Sequence, residues 1–219
     1  EDNVVSSGFS TGFPEGIMSK TAGMLVGVCA IVAVMFVYRS LWLSELGYLV
    51  AARSADEPTL VRADAVLVPS ADHVVYDTCT GALEQAVALS QESGVKPVFM
   101  TCFTWYGVST CELAEDALAQ RGRPVAIRAI RTERIPDREE AELALQKLKE
   151  AGIRRVIVLL PNYKTRRLGS WYAKLAGRYG MEATIVASAC PEFDTKTWWT
   201  QRESRKLFAY EVVRRFGQF

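Results

Sequence analysis

Two hydrophobic patterns divide this chain. From Thr21 to Tyr38 no residue is charged and nearly all are apolar. A helix rises about 1.5 Å per residue, so this run would reach close to the roughly 30 Å of a bilayer core. Lys20 and Arg39 bracket it, and Tyr38, Trp42 and Tyr48 follow as aromatic residues do at a membrane–water interface. The pattern predicts one N-terminal transmembrane helix rather than the buried core helix of a soluble protein. A cleaved signal peptide would be shorter and followed by small residues. Tyr38-Arg39-Ser40-Leu41-Trp42-Leu43 follows here, so a retained anchor is expected.

Leu41 to Val50 continues as a short amphipathic stretch, and Ser54 to Pro58 is a polar linker. From Ala63 the pattern alternates between short apolar runs and helical periodicity. Strands are predicted at Ala65–Pro69, Pro97–Cys102, Val125–Ile130, Val156–Leu160 and Ala183–Ala187. The third is the least apolar and belongs nearer an edge; Val156–Leu160 is the most apolar and belongs at the centre. Helices are predicted at Gly81–Glu92, from Thr110 to Gln120, from Asp137 to Ala151, at Thr165–Tyr179 and at Thr197–Phe216. Ser109 with Glu112 and Asp137 with Glu140 read as capping boxes, and Gly94, Gly122, Gly152 and Gly180 as helix stops. Such alternation implies an α/β fold, a three-layer Rossmann-like parallel sheet of about five strands. Ligands bind such sheets beyond the carboxyl ends of the strands, where strand order reverses. The loops to search are Ser70–Thr80, Phe103–Thr110, Arg131–Arg138 and Pro161–Arg167.

The organisation expected is therefore residues 1–17 as a disordered extension or expression remnant, 18–50 as anchor and juxtamembrane helix, 51–62 as linker and 63–219 as the α/β domain. The 219 residues carry 26 basic and 25 acidic side chains and a single histidine, His73. No basic block appears, so nucleic acid is not an expected partner. One histidine excludes a histidine-rich zinc site within one chain, and no metal is expected.

The order of elements resembles the YdcF-like family, which includes the envelope proteins ElyC and SanA. The resemblance runs from about Arg39 to Phe219. Leu46-Gly47-Tyr48-Leu49-Val50, then a linker and Ala63-Asp64-Ala65-Val66-Leu67-Val68, is similar to the family's approach to its first strand. Ile153 to Leu168 is similar to its strand followed by a Thr-Ser-x-Tyr-His-x-x-Arg-Ala loop. Arg202 to Glu211 is similar to its charged, aromatic C-terminal helix. The chain also departs from the pattern. Pro69-Ser70-Ala71-Asp72-His73 replaces the Gly-rich turn, Ala82 stands where an Arg would fall, and Lys164 replaces the histidine. The family's Arg is kept as Arg167 and its acidic position as Glu140, without the preceding Asn-Thr.

Lys164, Arg166 and Arg167 crowd a helix start, where the macrodipole disfavours cations and free N–H groups favour an anion. They read either as a phosphate or carboxylate site or as a solvated face. Glu140 reads as a helix cap or as a general base. Asp72 beside His73 could do acid–base work or lie exposed. Thr101 and Asn162 are candidate ligand contacts, the first through its hydroxyl. Cys79, Cys102, Cys111 and Cys190 fall near the carboxyl ends of strands. They read as buried free thiols, as disulfides, with Cys102–Cys111 the pair preferred on loop length, or as a thiolate metal site, which their spacings disfavour by matching no familiar zinc pattern. Trp198 and Trp199 are expected to pack the last helix.

The resemblance implies an envelope-biogenesis protein of the inner (cytoplasmic) membrane, single-pass, its domain periplasmic or extracytoplasmic. It would act on or sense a phosphorylated precursor, such as a polyprenyl-phosphate-linked intermediate. Lys164 and Arg167 would hold the anion, with Thr101 and Asn162 beside it, and Asp72, Glu140 and Lys164 would supply any chemistry. The lost histidine and glycines equally suit a non-catalytic binding or scaffold protein. A nucleotide or S-adenosylmethionine binder is a third class, disfavoured by the missing Gly-rich turn. The sequence leaves the cofactor open.

Overall fold

The computed structural model describes residues 15–52, 63–69, 81–92, 97–133 and 136–217. The chain divides into two compact units after Trp42. In the first, α1 (Glu15–Val37) begins three residues ahead of the segment 18–50 expected as anchor, and a turn at Tyr38 leads into α2 (Arg39–Gly47). The described side chains of α1 are exposed on every side, Met24, Leu25, Val28, Ile31, Val32 and Met35 among them. Among the described residues no single helix is long and apolar enough to cross a membrane; Gly23–Val37 and Arg39–Gly47 pass that test only as a bent pair.

The second unit is an α/β fold. Its strands in chain order are β1 (Ala65–Val68), β2 (Val98–Cys102), β3 (Thr104–Trp105), β4 (Val108–Ser109), β5 (Ile127–Arg131), β6 (Arg155–Pro161) and β7 (Glu182–Ser188). Five form one all-parallel Rossmann-like sheet in the order β5-β2-β1-β6-β7. β3 and β4 form a separate antiparallel ribbon inside what the sequence presents as a loop. β1 lies at the centre because all four of its residues are apolar and can be buried on both faces. β5 lies at an edge, where Arg128 and Arg131 stay exposed and discourage pairing with another chain.

The helices are α3 (Gly81–Glu92), α4 (Thr110–Gln120), α5 (Asp137–Glu150), α6 (Thr165–Arg178) and α7 (Arg202–Phe216). Alternate strand residues face opposite layers. Val66, Val68, Met100 and Leu159 meet α3 and α4 on one side. Leu67, Phe99, Val158 and Leu160 meet α5 and α6 on the other. Each such side chain contributes about 1.5–3 kcal/mol when fully buried. A third cluster joins Val50, Ala51, Tyr163, Phe193 and Trp198 to Leu43, Leu46, Leu207 and Phe208. Trp198 stacks on Phe208 with ring centroids 3.8 Å apart, and its Nε1 donates to Leu43 O at 2.8 Å. Trp198, in the turns ahead of the last helix, thus links Phe208 of that helix to Leu43. Leu43 to Val50, which the sequence pattern assigns to the anchor side of the linker, belong with the domain through this cluster.

Two expectations about helix ends need correction. Ser109 does cap α4, its Oγ accepting from the Cys111 N–H at 3.3 Å. Asp137 does not cap α5: Pro136 occupies the N-cap without a side-chain bond, because the Asp137 and Glu140 carboxylates are drawn elsewhere. α7 starts at Arg202 rather than Thr197, since residues 195–200 are turns, where Asp194 accepts from Lys196 N and Thr197 Oγ1. Gly122, Gly152 and Gly180 end α4, α5 and α6 with φ of 70°, 78° and 70°.

Candidate functional site

Strand order reverses between β1 and β6, which places the crevice of this sheet beside the carboxyl ends of those strands. The loop after β1, with Asp72, His73 and Cys79, lies outside the described residues. The loop after β6 is a 3-10 turn, Asn162–Lys164, running straight into α6. Asn162 Nδ2 donates to Phe193 O at 2.6 Å, and its Oδ1 accepts from Tyr163 N at 2.8 Å. Thr165 Oγ1 donates to Asn162 O and accepts from Ala52 N. The turn is therefore fixed before any ligand arrives, and the Asn162 amide serves that purpose.

Lys164 stands at the α6 N-cap and is 7% exposed. Its Nζ lies 5.9 Å from the Tyr163 ring centroid. Arg167, one turn on, is 5% exposed. It donates from Nε to Glu211 Oε2 at 2.8 Å, from Nη2 to Glu211 Oε1 at 3.0 Å and from Nη1 to Asp137 Oδ2 at 2.7 Å. The guanidinium lies 5.2 Å from the Trp171 ring centroid. Arg214 Nη1 also donates to Asp137 Oδ2, at 3.2 Å. Burial pushes the Asp137 carboxyl upward, but Lys164, Arg167 and Arg214 outweigh it and hold it below its ordinary value.

At the end of β2, Thr101 Oγ1 donates to Glu140 Oε1, both groups buried. Tyr172, wholly buried, has its phenol pushed well above its usual range, first by burial and then by the charges of Glu140 and Asp137. It stays protonated and available as a donor. Three carboxylates (Asp137, Glu140, Glu211) thus share this rim with three cations (Lys164, Arg167, Arg214). The cluster is charge-balanced. Lys164 and Arg167 are buried rather than splayed into water, Arg214 is partly exposed, and Arg167 is committed to carboxylates of its own chain.

Arg166 faces a different place. Its Nε donates to Tyr48 O at 2.9 Å and Ala51 O at 3.3 Å, and it lines an open cleft of about 570 Å³ with Glu45, Tyr48, Thr165 and Ser170. The three adjacent cations therefore do not converge. Among the described residues no three His, Cys, Asp or Glu side chains come together as a metal ion requires.

Cys102, next to Thr101, is bonded to Cys111, with Cα atoms 5.5 Å apart. That bond closes the β3–β4 ribbon against the start of α4. Cys190 is also disulfide-bonded, and Cys29 in α1 is free. Glu211, Arg214 and Tyr172 escaped the sequence reading. The legible signal was Glu211: it falls four residues after Leu207 and three after Phe208, so it interrupts the apolar side of α7 with a charge. No family model matches the chain, and no curated protein matches it in sequence.

Proposed function

We propose that this is a membrane-anchored protein whose α/β domain binds a phosphorylated, lipid-linked envelope precursor at the carboxyl-end rim of its sheet. The observation that carries the reading is Lys164: a cation buried at the strand-order reversal, on a fixed turn, at the start of a helix with no acid in its first turn. Backbone N–H groups at a helix start favour an anion, and a buried ammonium adds a charged contact. Arg167 acts one step back. By gripping Glu211 and Asp137 it positions the wall behind Lys164. Glu140, held by Thr101, is the group able to accept a proton if a phosphoryl group is hydrolysed or transferred, with Asp72 from the neighbouring loop as its helper.

Two observations support the membrane setting. α1 exposes apolar side chains all round, which suits hydrocarbon and not water. The Cys102–Cys111 bond and the bonded Cys190 suit an oxidising, extracytoplasmic compartment. This agrees with the topology that the YdcF-like resemblance implies.

A second reading is a binder without turnover. The charge balance of the rim and the engagement of Arg167 favour it, since a phosphoryl-transfer site usually presents uncommitted cations to the developing charge. Phosphate release from a polyprenyl-diphosphate substrate by the detergent-solubilised full chain separates the two. Release that Glu140→Gln abolishes supports the enzyme. Binding without release supports the scaffold. Neither binding nor release refutes both.

A further inference from the structure

α7 has two unlike faces. The inner one carries Ser204, Leu207, Phe208, Glu211 and Val212 into the domain. The outer one leaves Tyr210, Val213 and Phe216 exposed at 52%, 68% and 55%. These lie at three-residue intervals on the helix and form one apolar stripe. Cations frame it. Arg202, Arg205 and Lys206 are exposed along the first half of the same face. Arg214 sits 4.4 Å from the Tyr210 ring centroid and Arg215 5.5 Å from that of Phe216. Glu203, already paired with Lys206, is the one exposed acid of the helix.

We infer that this outer face of α7 rests on an anionic phospholipid surface. The inference rests on the membrane attachment proposed above and adds a second, peripheral contact made by the domain itself. Apolar aromatic residues beneath a collar of Arg and Lys are what an interfacial helix presents to headgroups and the adjoining acyl region. Chain continuity points to the same occupant. α7 shares one apolar cluster with Leu43 and Leu46, its Phe208 stacks on Trp198, which donates to Leu43 O, and Arg215 donates to Leu49 O. Leu43 is six residues beyond the end of α1, so the partner segment of α7 begins within about 20 Å of chain from the apolar helix. A second copy of this chain fits less well. A helix of this length offers a strip about 22 Å by 10 Å, far below the roughly 800 Å² per partner of a stable interface.

The test uses the full chain with Cys29→Ser and a single added cysteine, either Val213→Cys on the stripe or Gln120→Cys at the end of α4, labelled with an environment-sensitive fluorophore. The protein is reconstituted into phosphatidylglycerol-rich or pure phosphatidylcholine vesicles. In anionic vesicles the label at 213 should shift to the blue and be quenched by spin-labelled lipid, while the label at 120 should not. Arg202→Glu with Lys206→Glu should weaken the effect at 213 by about fivefold per reversed charge or more. A label at 213 that stays in water while the protein floats with the vesicles overturns this inference and leaves the anchor intact. Failure to float overturns both. A blue shift that depends on protein concentration and not on lipid charge assigns the face to a second copy and also overturns the proposal.

Discussion

Arg167 grips Glu211 at two points, Nε to Oε2 at 2.8 Å and Nη2 to Oε1 at 3.0 Å, with both side chains almost wholly out of water. Nη1 reaches Asp137 on the other side, so one guanidinium ties α5, α6 and α7 together. Removing one partner of such a pair strands the other in a poorly solvated place. Glu211→Ala should therefore lower stability by about 3–5 kcal/mol in urea unfolding. Arg167→Met with Glu211→Leu should recover most of that loss, because the pair costs desolvation that an apolar replacement avoids. If Glu211→Ala is neutral, the grip is not a structural element.

Acid should act through Asp137. Its folded-state carboxyl lies below the ordinary 3.8, since Lys164, Arg167 and Arg214 outweigh the upward push of burial. A lowered folded value means that the stabilisation is complete above the unfolded value and is lost as pH falls through the folded one. Between pH 7 and 5 this group should leave stability unchanged, and below about pH 4 it should steepen the loss. Asp137→Asn should be less stable at neutral pH and show a shallower acid limb in chemical denaturation. An unchanged limb would mean that Asp137 carries no such linkage.

The bond between Cys102 and Cys111 closes a loop with a sequence separation of 9. Such a closure restricts the unfolded chain by about 2–3 kcal/mol. Replacing both cysteines by serine should lower the urea midpoint accordingly, and reductant should lower the midpoint of the wild type by more than that of the double variant, which keeps only the Cys190 bond. A wild type indifferent to reductant would contradict the role given to this bond.

Gly47 is held by close approach. A Cβ there would meet Thr195 O at 2.7 Å and the Trp198 ring at 3.1 Å. Gly47→Ala should cost about 1–3 kcal/mol of stability through overpacking, with a change in tryptophan fluorescence reporting displacement of Trp198. A neutral outcome would mean that Gly47 is only loosely seated on the turns at Thr195–Trp198.

The fold was legible because its strands are short, continuous apolar runs that only a sheet covered on both faces can bury. Ile127–Arg131 betrayed its edge position through its arginines, and Val156–Leu160 an interior one through unbroken apolarity, but the centre expected for that strand is held by the shorter Ala65–Val68. The site was half legible. Glu140, Lys164 and Arg167 could be singled out because charges at helix starts follow simple electrostatics. Which partner each one takes is a tertiary matter. A capping reading of Asp137 competes with Arg167 from a helix nearly thirty residues away, and the distant cation wins because both groups are largely removed from water. Glu211 arrives from the far end of the sequence, and only the finished packing of α7 brings it to the rim.

The central claim is that Lys164 holds a phosphorylated ligand, and direct calorimetric titration of polyprenyl phosphate into the detergent-solubilised full chain tests it most simply. Loss of one charged hydrogen bond corresponds to about 1.5–3 kcal/mol, so Lys164→Ala and Lys164→Gln should weaken binding by tenfold or more. Arg166→Ala, which faces the other cleft, should bind as the wild type does. Equal affinity in wild type and both Lys164 variants, or no binding by the wild type at all, would contradict the account.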